Sequence, residues 1–238
     1  MLISHLKKFI YFKNIKTASS SIEAFFTPYC IPKNKIKDFN YITGTKIIGN
    51  YKEGVVGDLN PRPDRKSFKG HVNASRVKKI ANEIDLTIWD KYFKFCSIRN
   101  PWDKIVSYYF FRKNPLYCKT ILPFETDKKV NNFQDFVRYL YKYYLDNLEF
   151  PIGFKYYTIK KEFICDFYIR FENLKEDIKK ACDLCSIKFN AGKLPSIHSD
   201  CRNKKIHYSK FYNDETKDLV AKMYKEKINK FNYTFESN

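Results

Sequence analysis

Two segments of the chain pass from a β-prone run, through a short polar turn, into an apolar stretch with helical spacing. The first begins KFIYFKN at residues 8–14, turns through KTASS at 16–20, and continues into Ile22 to Phe26. The second is YFKFCSI at 92–98, followed by the Arg99-Asn100 turn and Pro101 at a natural first helical position. Its helix carries Trp102, Ile105, Val106, Tyr109 and Phe110, apolar residues three and four apart. Strand–turn–helix units of this kind imply an α/β sheet with right-handed crossovers. ICDFYIRF at 164–171 reads as a further strand, running into a helix over about 173–186. Helices are also expected from Asn73, over 131–146, and from an Asn213 cap to about Lys230. Residues 31–70 read mostly as loop, with a strand at 45–49.

The 238 residues suit a single domain over 1–238. With 44% hydrophobic and 18% aromatic residues there is ample core material, and 7 Gly and 9 Pro argue against disorder. The formal charge is +19, so the surface gathers anions such as nucleic acid, acidic glycan, anionic lipid or a polyphosphate ligand. Part of that excess has the look of AT-biased coding. The seven cysteines are an odd number, and the opening MLISHLKKFIYFKNIK lacks an apolar stretch ending in a small-residue cleavage site. With no apolar run of spanning length either, a reduced, cytoplasmic protein is the expectation.

In an open α/β sheet, ligands collect beyond the carboxyl ends of strands, where helix N-termini favour phosphate. The first turn offers Lys16, Thr17, Ser19, Ser20 and Ser21 at that position; the second offers Arg99 and, two turns along its helix, Ser107. IKTASSS resembles the 5′-phosphosulfate loop of sulfotransferases that use 3′-phosphoadenosine 5′-phosphosulfate (PAPS). Their membrane-bound carbohydrate branch carries Pro-Lys-Thr-small-Ser-Thr-Ser there. RNPWDKIVS is similar to that family's 3′-phosphate motif, an Arg-Asn/Asp-Pro with a serine eight residues after the arginine. SYYFFR at 107–112 resembles heparan sulfate 2-O-sulfotransferases, and DFYIRFENLKED with the closing FYNDETKDLV…FNYTF resembles further family segments. Residues 31–65 and 113–160 have no counterpart. Ile15 stands where the family usually has Pro, and Lys104 replaces its common Arg.

The resemblance implies a P-loop-like three-layer fold, with a central, mainly parallel sheet flanked by helices. It implies transfer of a sulfuryl group from PAPS to a hydroxyl acceptor, a carbohydrate first, with no metal required. Lys16 would stabilise the leaving phosphate, while the loop amides with Thr17, Ala18, Ser19, Ser20 and Ser21 hold the 5′-phosphate. Arg99 and Ser107 would hold the 3′-phosphate. His71, upstream of the second motif, is the implied base, with Glu23 the fallback; Arg112 matches an arginine that contacts an acidic sugar. The basic Arg62, Arg65, Lys66 and Lys69 could line a channel for an anionic acceptor, and Arg202 to Lys205 occupy a region that in relatives closes over the donor.

Two rival functions follow from the same residues. A P-loop kinase would need Gly-x-x-x-x-Gly-Lys-Ser/Thr, and the first loop contains no glycine. A nucleic-acid-binding protein would suit the charge, yet no recognised module signature is present, so no nucleic-acid partner is expected. Cys182 and Cys185 with His198 and Cys201 have zinc-like spacing. However, both cysteines follow the helical pattern of Ile178 and Ala181, where buried thiols are common.

Overall fold

The structure is a computed structural model, and it describes residues 1–37, 49–57, 71–114, 130–147, 152–197 and 206–237. The chain forms two compact units, Met1–Ile98 with Gly153–Ile197, and Arg99–Ile152 with His198–Asn238.

The first unit is a mixed α/β body around a six-stranded sheet of order β3-β4-β1-β2-β5-β8. Its strands are β1 (Leu2–Ser4), β2 (Phe9–Phe12), β3 (Gly49–Tyr51), β4 (Gly54–Val56), β5 (Phe93–Ile98) and β8 (Phe167–Arg170). A separate hairpin pairs β6 (Thr158–Ile159) with β7 (Glu162–Phe163). Only β2/β5 and β5/β8 pair in parallel; β3/β4, β4/β1 and β1/β2 are antiparallel. The expected mainly parallel sheet is therefore corrected to a mixed one. The cause is local. Four residues join β1 to β2, far too few for a crossover, and Lys8 turns the chain back at φ 50°. Of the strand expected at 45–49, residues 45–48 lie outside the described residues, and Gly49 opens β3.

All four residues of β2 are buried, as a strand covered on both faces requires. Phe9 and Tyr11 point into a core shared with Phe26 of α1 (Ser19–Phe26), Phe95, and Ile178 and Ala181 of α6 (Leu174–Leu184). The Phe26 ring lies 5.1 Å from Phe95 and 5.5 Å from Phe9. On the other face Phe12 meets Trp89 of α3 (Ile88–Lys91), edge-on at 6.1 Å. Helix α2 (Ala74–Ile84) begins one residue after Asn73, as the sequence indicates, although the Asn73 side chain makes no capping bond.

Four α-helices lie among the described residues of the second unit: α4 (Pro101–Lys113), α5 (Phe133–Asn147), α7 (Asp214–Met223) and α8 (Lys225–Phe231). Tyr109, Phe133, Phe136 and Tyr212 form its aromatic centre, with Phe133 and Tyr212 crossing at 4.9 Å. Asn100 caps α4 by accepting from the Trp102 amide at 3.1 Å, and Pro101 takes the first turn. Asn213 and Thr216 form a full capping box on α7. The single closing helix expected to reach about Lys230 is instead broken at Tyr224. That residue is buried and its hydroxyl donates to the Ile152 carbonyl at 3.3 Å.

Where β1 meets β4 the backbones approach closely. A Cβ on Gly54, at φ 155°, would sit 2.1 Å from the Ile3 carbonyl oxygen. Gly54→Ala should therefore destabilise the protein by about 2 kcal/mol or more in urea unfolding. An unchanged midpoint would contradict this strand register.

Candidate functional site

The parallel strands β2, β5 and β8 end side by side, with Phe12 opposite Cys96 and Ile98 opposite Arg170 in the register. From the end of β2 the chain runs Lys13, Asn14, Ile15, Lys16, Thr17, Ala18 into α1. Lys16 and Ala18 both adopt left-handed backbone angles, φ 57° and 56°, in a loop without glycine. For L-residues this costs about 1–2 kcal/mol each. Such alternation with ordinary angles turns backbone N–H groups inward and makes an anion-binding concavity.

Buried polar bonds hold the loop in that shape. The Asn14 amide donates to the Ser97 carbonyl at 2.9 Å, and its oxygen accepts from the Ile15 N–H at 2.8 Å. The Thr17 and Ser97 hydroxyls share a 2.6 Å bond, and the Tyr11 hydroxyl donates to the Ser19 carbonyl at 3.2 Å. Asn14, Thr17 and Ser97 are all fully buried. Ala18 occupies the N-cap of α1, so no side chain caps the first turn; the first intrahelical bond is Ile22 N–H to the Ala18 carbonyl, 3.1 Å. Helix ends of this kind accept anions. Ser19 is buried, Ser20 partly so, and the buried Ser21 hydroxyl accepts from the Ile197 amide at 3.1 Å.

Both candidate bases lie around Lys13. Glu23, buried one turn into α1, takes the Lys13 ammonium at 2.5 Å and the Met1 amino group at 3.4 Å. The His71 Nδ1 lies 3.1 Å from the Lys13 carbonyl. A carbonyl only accepts, so Nδ1 carries the proton and Nε2 keeps its lone pair. Burial, reinforced by the Lys13 charge, holds the imidazole down to about 3, so it is neutral near pH 7. The Tyr156 ring flanks it at 5.5 Å.

In the second unit, Arg99 precedes α4 and donates from Nε to Asp103 Oδ2 at 2.6 Å, which fixes the guanidinium plane. The Arg99 carbonyl accepts from the buried Lys227 ammonium. Ser107 follows Asp103 by four residues and so shares its helix face; it and Arg112, in the last turn, are partly buried. Lys104, noted in the sequence as an Arg replacement, is fully buried and donates to the Ile152 carbonyl at 2.6 Å, a structural tie. Arg62, Arg65, Lys66, Lys69 and Arg202 to Lys205 lie outside the described residues. Among the described residues no three His, Cys, Asp or Glu side chains are grouped to hold a metal. Cys182 and Cys185 sit in the core, where burial first of all pushes both thiols up to about 12; His198 and Cys201 lie outside the described residues.

No protein-family model and no solved structure matches the chain. An uncharacterized protein of Archaeoglobus fulgidus is 38% identical over 104 residues, 42% of this chain and 73% of the archaeal one. The chain belongs to one family with this archaeal protein.

Sequence reasoning passed over Lys13, Asn14, Ser97 and Tyr156. A signal existed for one of them: Ser97 is a hydroxyl inside an apolar strand. The loop geometry yields a sharp test. Ala18→Gly removes the left-handed penalty and should stabilise the protein by about 0.5–1 kcal/mol in urea unfolding, where glycine replacing alanine normally destabilises. A loss of stability would mean that Ala18 is not left-handed.

Proposed function

We propose that this protein is a sulfotransferase that moves a sulfuryl group from PAPS to a hydroxyl acceptor, a carbohydrate with anionic groups in the first instance. One observation carries the reading. A loop without glycine, at the carboxyl end of a parallel strand, keeps two left-handed residues and opens an uncapped helix, with a lysine at its centre. Residues strained in this way cluster at ligand-binding sites.

PAPS, when bound, supplies the sulfuryl group on a 5′-phosphate that becomes the leaving group. Amides of Thr17, Ala18, Ser19, Ser20 and Ser21 would hold that phosphate, and Lys16 would offset the charge that grows on it. The hydroxyls of Thr17 and Ser21 already serve the loop, which leaves the backbone as the main phosphate ligand in this reading. His71 would take the proton of the acceptor hydroxyl on Nε2, the nitrogen that the Lys13 carbonyl leaves as the base. Arg99, oriented by Asp103, and Ser107 would hold the 3′-phosphate through charge-assisted bonds. Arg112 would meet an acidic group of the acceptor.

Incubation with ³⁵S-labelled PAPS and a panel of glycans tests the reading. Label should pass to a glycan, and adenosine 3′,5′-bisphosphate should raise the melting temperature more than ATP with Mg²⁺. His71→Ala should lower turnover about 10²–10⁴-fold and Lys16→Ala about 10²–10³-fold, with nucleotide binding kept in the first. Because the His71 ring stays neutral, kcat/KM should show no acid limb near pH 6.5. Stabilisation by ATP with Mg²⁺ alone would favour a kinase. A steep salt-dependent affinity for DNA or RNA without transfer would favour a nucleic-acid-binding protein.

A further inference from the structure

Lys13 belongs to neither sequence motif, yet it is 3% exposed, and lysines are rarely buried without a purpose or a partner. Its partner is Glu23, at 2.5 Å. A buried ion pair is weak evidence of stability, because well-packed apolar side chains of the same size often do as well. The pair therefore asks for another use. The same residue offers its main-chain carbonyl to His71 Nδ1 at 3.1 Å.

We propose that Lys13 is the positioning residue of this site, orienting the His71 ring through its carbonyl and setting the charge that the ring meets through its Glu23-held ammonium. The inference rests on His71 being the base of the reaction proposed above, but its physical content is separate. The carbonyl fixes the tautomer and aims Nε2 away from Lys13. The charges that face the ring are the Lys13 ammonium and the Met1 amino group, which oppose its protonation, and the Glu23 carboxylate, which favours it. Tyr156 closes the side of the ring. Of these charges Lys13 acts most strongly, so neutralising Lys13 and Glu23 together relieves more opposition to protonation than it removes support.

The test is ¹⁵N NMR of the His71 imidazole across pH in the full chain, for the parent, K13M/E23Q and K13R. The double variant removes the two charges of the Lys13–Glu23 pair together, so neither is left facing a neutralised partner, and Gln keeps an acceptor for the Met1 amine. In the parent, Nδ1 should be protonated and Nε2 not, at neutral pH. In K13M/E23Q the ring's titration midpoint should rise by about one pH unit, and the acid limb of kcat/KM should rise with it. K13R should keep the parent's midpoint. One common midpoint in all three proteins would overturn the positioning role, even if PAPS is consumed. A shifted midpoint in a protein that never consumes PAPS would uphold Lys13's role while refuting the sulfotransferase reading.

Discussion

The shape of the loop after β2 depends on a small knot of buried polar groups around Ser97. Its hydroxyl meets Thr17 and its carbonyl takes the Asn14 amide. A buried polar group without a partner costs on the order of 1–3 kcal/mol, so these three residues hold one another in place or none is tolerable. Their mutual satisfaction offsets what Lys16 and Ala18 lose by turning left-handed. The knot joins the loop to the end of β5, and parallel pairing of β5 with β2 brings the two strand ends together.

Each unit holds some of its charges in fixed pairs. The excess of basic residues gives the protein a general attraction for anions, which says little about specificity. Fixed charges differ from that general field: the Lys13 ammonium is held on Glu23 in one unit, and the Arg99 guanidinium on Asp103 in the other. A clamped cation loses little rotational freedom when an anion arrives. His71 stands apart because burial strips it of charge and a carbonyl decides which nitrogen keeps its lone pair.

Local chemistry made much of this legible in the sequence. FIYF and FKFCSI announce strands, Asn100-Pro101 announces a helix start, and Asn213 announces another. What escaped depends on partners distant in sequence. The three residues of β1 are too few to show alternation, and nothing in Gly54–Val56 says that it pairs with β1. The break at Tyr224 is hidden because apolar spacing runs on through it. Of the candidate site, Lys16 could be named from the strand–turn–helix pattern, and Glu23 and His71 from what the resemblance to sulfotransferases implies. Lys13 could not, since a lysine after a strand ordinarily reads as solvated surface, and only its burial against Glu23 reveals otherwise.

In the proposed reading, the backbone of the loop, shaped by its left-handed residues, is an anion receptor. Amide chemical shifts recorded while adenosine 3′,5′-bisphosphate is added, without Mg²⁺, address it most directly. Saturable changes should appear at the amides of Lys16 to Ser21, larger than those elsewhere in the first unit. Changes scattered over surface lysines, with those six amides unmoved, would contradict it.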